Sequence, residues 1–228
     1  MQLVCPAGNL PALQAAIDEG ADAVYVGFSD QTNARAFSGL NFNDNELRRG
    51  IDYAHAHKRK LYLALNTYPD SVRLDHWRRT VDKAAELGCD AIIAAEIAVL
   101  DYASRVHPNL PRHLSVQGSA TTAPALRYMH ERFGIQRAVL PRVLSIQQVE
   151  RLCEMAPVPL EVFAFGSLCI MVEGRCQLSS YVTGASPNRH GVCSPASFVR
   201  WEEHSDGWRT VRLNQVLIDR FEPMEPAG

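Results

Sequence analysis

Apolar residues recur along the chain in two alternating rhythms: short unbroken runs, and longer segments in which they return every third or fourth position. The short runs cover Leu3 to Pro6, Asp22 to Val26, Lys60 to Leu65, Ala91 to Ala95, His113 to Val116, Arg137 to Leu140 and Leu160 to Ala164, and each reads as a strand. The longer segments, Asn9 to Glu19, Asp44 to His57, Asp75 to Leu87, Ile97 to Val106, Ala123 to Phe133 and Ile146 to Met155, read as helices. The punctuation agrees: Asn9 offers an N-cap, Gly20, Gly88 and Gly134 stand where helices must stop, and Pro157 and Pro159 follow the last one.

Strands alternating with helices require a parallel sheet covered by helices, and short right-handed connections roll such a sheet up. The pattern predicts an α/β fold, a TIM-like (β/α) barrel whose eighth unit is not visible and which is therefore incomplete at its C-terminal side. Residues 1–166 carry the barrel repeats and residues 167–197 a cysteine-bearing loop. Residues 198–228 carry a β-hairpin, Phe198 to His204 and Trp208 to Leu213, and a C-terminal segment that looks cut short, all in one domain. The polar stretch from Gly27 to Asn43, which carries Arg35, Asn41 and Phe42, is long for a connection, so it reads either as a lid over the mouth, with Arg35 offering charge to an acidic substrate, or as a mobile loop.

Composition narrows the partners. A 46% hydrophobic chain of 228 residues supports one sizeable core, and a formal net charge of −2 supplies no general attraction to nucleic acid or anionic membrane, so no nucleic-acid partner is expected. No apolar run is long enough to span a membrane, and Cys5, Cys89 and Cys153 are scattered singly, so reduced thiols and a cytoplasmic location are expected.

In such barrels chemistry gathers at the C-terminal ends of the strands. The polar residues there are Asn66, Glu96, Gln117, Arg142 and Glu161, and Asn66, Glu96, Gln117 and Arg142 are the candidate catalytic set. Each has a plain alternative. Asn66 and Gln117 suit loop or cap hydrogen bonds, and Glu96 suits the first turn of a helix. Arg142 suits either an anionic substrate or an ion pair with Glu96, and Glu161 inside an apolar strand requires a partner. HExxH, SxxK, GxSxG and Walker-type patterns are absent, which leaves a peptidase without a recognisable nucleophile or metal.

The segment after the seventh strand, EVFAFGSLCIMVEGRCQLSSYVTGASPNRHGVC, sets Cys169, Cys176 and Cys193 in a Gly-, Ser- and Asn-rich loop beside Arg175 and Arg189. Thiolates on a pliable loop suit a soft metal, and irregular spacing without paired CxxC or HxxxH knuckles favours an iron–sulfur cluster over zinc. The plain alternative is that Cys169 and Cys176 are small buried hydrophobes.

Glu161, Phe163, Gly166, Leu168, Cys169, Gly174, Cys176 and Ser179 together resemble the signature of the collagenase-like peptidase family U-32. Glu173 before the second glycine, a lone Cys193 and the opening MQLVCPAGNLPALQAAIDEGADAVYVG are similar to the ubiquinone-biosynthesis branch of that family. The resemblance implies a [4Fe-4S] cluster on Cys169, Cys176 and Cys193 with a fourth ligand not in this chain. It implies an iron–sulfur subunit of an oxygen-independent hydroxylase, paired as a heterodimer with a UbiV-like paralogue. The substrates implied are a ubiquinone precursor ring and an acidic hydroxyl donor such as prephenate. Alternatives within the family are hydroxylation of tRNA uridine, peptidase activity, or a non-enzymatic, cluster-bearing electron-transfer partner.

Overall fold

The computed structural model describes residues 1–36, 39–69, 72–166, 180, 200–204 and 208–212. The order is β1 (Val4–Pro6), α1 (Leu10–Asp18), β2 (Ala23–Gly27), α2 (Asp44–Ala56), β3 (Lys60–Leu65), α3 (Leu74–Leu87), β4 (Ala91–Ala94) and α4 (Ile97–Val106). It continues with β5 (Arg112–Leu114), α5 (Ala123–Phe133), β6 (Arg137–Val139), α6 (Ile146–Met155), β7 (Leu160–Glu161), β8 (Arg200–His204) and β9 (Trp208–Arg212). Strands β1 to β7 lie side by side in chain order, every pair parallel, as a curled, incomplete TIM-like barrel. The hairpin is β8 with β9, antiparallel, His204 opposite Trp208.

The helices form where the sequence supplies caps. The Asn9 side chain accepts from Ala12 N, Asn43 and Glu46 form a reciprocal capping box on α2, and Ser145 with Gln148 does the same on α6. Gly88 and Gly134 close α3 and α5 in the left-handed conformation at φ of 82° and 62°.

Two strands stop two or more residues short of the ends of their apolar runs. The fifth stops at Leu114 because the Ser115 side chain accepts from Gln117 N and starts a 3-10 turn over Val116–Gly118. The seventh ends at Glu161: its partner β6 stops at Val139, and Pro141 beyond it has no N–H to extend the ladder. Val162, Phe163 and Phe165 are exposed.

Register divides the sheet into two faces. Val24, Leu61, Leu63, Leu65, Ile92, Leu114 and Ala138 point outward into the main core, meeting Leu13, Leu47, Trp77, Leu100 and Leu126 from the helices. On the inner face Tyr25 lies opposite Tyr62, Ile93 opposite His113, His113 opposite Arg137, and Val139 opposite Glu161. At the end away from the strand tips, buried Arg112 gathers the carbonyls of Phe133, His107, Pro108, Leu110 and Gly134 at 2.7 to 3.4 Å, tying the ends of α4 and α5 to β5.

Candidate active-site mouth

The stretch between β2 and α2 is not a free lid, because its polar residues are spent on holding it. Asn33, 5% exposed, donates from Nδ2 to Phe28 O at 3.2 Å and to Asn41 Oδ1 at 3.1 Å, and its Oδ1 accepts from Arg35 N at 3.0 Å. Asn41, in the left-handed region at φ 77°, donates from Nδ2 to Arg35 O at 2.9 Å. Gly27 is required beneath this turn, since a Cβ there would sit 2.3 Å from Asn33 Nδ2. From outside, Thr67 Oγ1 donates to Gln31 O at 2.6 Å, Arg73 donates to Gln31 Oε1, and His76 Nε2 meets Asp30 Oδ2 at 3.1 Å. The described residues of this stretch are thus laced to one another and to the residues around α3 as a wall of the mouth, with Arg35 exposed at its turn.

The four candidate catalytic residues occupy the strand ends, in different employments. The Asn66 Oδ1 accepts from Ala34 N at 2.9 Å, so it pins the wall. Glu96 is the N-cap of α4, its Oε1 accepting from Ala98 N at 3.2 Å. Gln117 presents a buried Oε1 without a hydrogen-bond partner among the described residues, while its backbone carbonyl accepts from Tyr68 at 2.7 Å. The Arg142 guanidinium lies 4.1 Å above the Phe163 ring, a cation–π contact. Glu161 has the partner its setting demands: Arg137 Nη1 lies 3.2 Å from Glu161 Oε2, both side chains about one-fifth exposed or less.

Sequence reasoning missed the residues that join these groups. Tyr25, Tyr62, His113 and Arg137 share the inner face; the signal was there in Tyr, His and Arg at inward positions of otherwise apolar strands. The His113 ring meets Tyr62 edge-on at 4.7 Å, and the Arg137 guanidinium sits 5.8 Å over the same phenol while also donating to Gln2 Oε1. Burial first, then the charges of Arg137 and Lys60, push the His113 pKa down to about 3, so the imidazole is neutral at physiological pH; its buried Nδ1 has no partner among the described residues. Burial raises the Tyr25 hydroxyl against the opposing charge and hydrogen bond of Arg35, with Glu161 raising it and Arg142 lowering it further.

Among the described residues no three metal-binding side chains lie together. Cys89 is buried with its thiol pushed up to about 12 by desolvation, Cys5 is half-buried and Cys153 exposed, in line with single, separate thiols. Cys169, Cys176 and Cys193 lie outside the described residues.

A curled parallel α/β sheet with a polar inner face and charged groups at its strand tips defines a barrel-type protein. This chain belongs to peptidase family U32, whose sequence profile matches residues 8–210. It is similar to tRNA hydroxylation protein P of Helicobacter pylori, 36% identical over 195 residues that cover 85% of this chain and 46% of that protein. The Escherichia coli protein of the same name is 31% identical over 224 residues, 98% of this chain and 48% of its own length. The chain therefore spans about half the length of the curated relatives it matches. In fold it resembles the U32 peptidase Mk0906, with a TM-score of 0.62 at 16% identity, covering 75% of this chain and 70% of that one. Two relatives named for tRNA stand against the expectation of no nucleic-acid partner, without deciding it. No helix among the described residues is long and apolar enough to cross a membrane.

Proposed function

We propose that this chain belongs to an oxygen-independent hydroxylase component that acts on the ubiquinone precursor ring, like UbiU, in a heterodimer with a UbiV-like paralogue. The observation that carries the reading is the stretch from Glu161 to Cys193, in which Glu173 and a lone Cys193 depart from the general family signature towards the ubiquinone branch. Hydroxylation as the reaction class is supported by the relatives named as tRNA hydroxylation proteins. A ring rather than an RNA is supported by the net charge of −2, since RNA affinity draws on excess Lys and Arg to neutralise phosphates.

Chemically, the ring C–H and a C–OH of the donor acid become a ring C–OH and a donor C–H. The ring loses the two electrons that the donor gains, so no oxygen molecule is needed. Prephenate is the donor the family likeness suggests. Cys169, Cys176 and Cys193 would hold a [4Fe-4S] cluster with a fourth ligand from outside this chain, and such a cluster supplies one-electron transfer. The residues of the mouth do the remaining work: Arg142 and Arg35 neutralise an anionic ligand, neutral His113 and the Tyr62 phenol add no charge beside the Arg137–Glu161 pair, and the wall limits water.

A second reading, hydroxylation of a tRNA uridine, is favoured by the names of the relatives. The two are separated by deleting the gene and growing the cells without oxygen. The ring reading expects accumulation of a ubiquinone precursor one oxygen short, with tRNA nucleosides unchanged by mass spectrometry. Normal ubiquinone together with an unhydroxylated tRNA uridine contradicts it and supports the second reading.

A further inference from the structure

We infer that the inner face of β5 and the turn that follows it hold a neutral aromatic ring bearing a hydroxyl, with Gln117 accepting from the O–H and His113 as a second polar contact. The inference rests on the proposed reading for the acceptor ring and deepens it by naming the residues that select that ring; the binding itself requires neither the cluster nor the hydroxyl donor. Among the described residues three buried side-chain polar atoms have no hydrogen-bond partner: Arg78 Nε on α3, His113 Nδ1 and Gln117 Oε1. The last two belong to one short segment, the strand β5 and its turn. His113, 6% exposed, faces the barrel interior, where its ring meets Tyr62 edge-on at 4.7 Å. Ser115, between the two, is engaged: its side chain accepts from Gln117 N at 3.2 Å. The charged groups of the same face, Arg137 and Glu161, are committed to each other at 3.2 Å.

A buried polar atom without a partner costs stability until a ligand or an ordered water satisfies it. Neither group brings a net charge: an amide is neutral, and burial holds the His113 imidazole in its neutral form at physiological pH. An ionised ligand therefore meets no free counter-charge on this strip, whereas a hydroxyl offers the O–H that the amide oxygen lacks. The surroundings favour a ring over water alone. Ala64, Ile93 and Val139, on the inner face of β3, β4 and β6, keep 5%, 7% and 6% of their surface accessible, while Leu63, Ile92 and Ala138, which alternate with them on the outer face, keep 0%. Solvent thus touches apolar side chains on either side of His113, and a ring laid there removes that area from water. The turn is set in advance, since Tyr68 reaches across from the end of β3 to donate to Gln117 O at 2.7 Å, which reduces the ordering cost of binding.

The test is titration of the full-length protein with phenol, and with toluene as the isostere that lacks the hydroxyl, followed by NMR of 15N-labelled histidine. Phenol is expected to bind about tenfold more tightly than toluene, the scale of one hydrogen bond to a buried acceptor, and to shift the His113 imidazole signal. Gln117→Leu is expected to weaken phenol by roughly that factor and to leave toluene unchanged. Because the amide oxygen is bonded to no other described residue, the urea midpoint of Gln117→Leu is expected to hold or rise. Gln147→Leu, exposed on α6, is expected to leave phenol binding unchanged. Equal binding of phenol and toluene, or undiminished phenol binding in Gln117→Leu, overturns the inference. So does a lower urea midpoint in Gln117→Leu, the mark of an ordered water that ties the amide to the fold. Phenol binding that depends on Gln117, with ubiquinone normal after deletion of the gene, removes the proposed function and leaves this site standing. Accumulation of the ubiquinone precursor without such binding removes the site alone.

Discussion

The outer face of the sheet buries Leu61, Leu63, Leu65, Ile92 and Leu114 against five helix side chains whose one polar atom, the indole nitrogen of Trp77, is bonded to Thr67, whereas the inner face carries Tyr62, His113, Arg137 and Glu161 linked by ring and ion-pair contacts. The first face is stabilised by area removed from water, a non-directional effect of about 25 cal/mol per Å² that spreads over many residues. The second depends on partners: a buried ion or ring nitrogen is costly unless its neighbour is present. The fold tolerates this because α1 to α6 supply the stability on one side and leave the other free for chemistry.

Breaking the outer face should cost most. Trp77, fully buried with its indole N–H donated to Thr67 at 3.2 Å, is expected to lose about 3–5 kcal/mol of stability as Trp77→Ala, read from urea denaturation. Next comes Arg112, where Arg112→Ala leaves five carbonyls without their shared donor and is expected to cost about 3 kcal/mol, seen in the same experiment.

The inner face is broken by pH instead. His113 has a folded pKa near 3, below its unfolded value of 6.5, so the unfolded chain binds the extra proton between these values. Stability is full above about pH 6.5 and falls as pH drops towards 3, by on the order of 2 kcal/mol from pH 7 to 4 after discounting for local relaxation. His113→Gln should flatten that part of the urea midpoint against pH profile; an unchanged slope would remove His113 as its source. The smallest effect belongs to the wall: Asn66→Ala is expected to cost about 1 kcal/mol or less while raising hydrogen exchange at the Ala34 amide, leaving the amides of β3 protected.

This contrast between faces also explains what could be read in advance. Helical periodicity and caps placed Ile97–Val106, Ala123–Phe133 and Ile146–Met155 at both ends, and an unbroken apolar run placed Lys60–Leu65. The outer face is written in spacing, which is local. The inner face is written in pairings between different strands, such as Tyr62 with His113 and Arg137 with Glu161, and spacing carries no information about them. Glu161 was legible as a residue needing a partner, not as one needing Arg137. Asn66 and Glu96 stand at the mouth as the topology requires, yet their side chains serve a backbone amide and a helix cap, which a residue type at a strand end does not reveal.

The proposed function rests on Cys169, Cys176 and Cys193, in the segment that follows β7 in the sequence, holding a cluster. The direct measurement is iron and sulfide content with a visible absorption spectrum of the anaerobically purified full-length protein, alongside its Cys169→Ala and Cys176→Ala variants. A brown protein with matching iron and sulfide, bleached by either substitution, is the expected result. A colourless protein, or one whose colour survives both substitutions, contradicts the assignment of those cysteines and with it the proposed reaction.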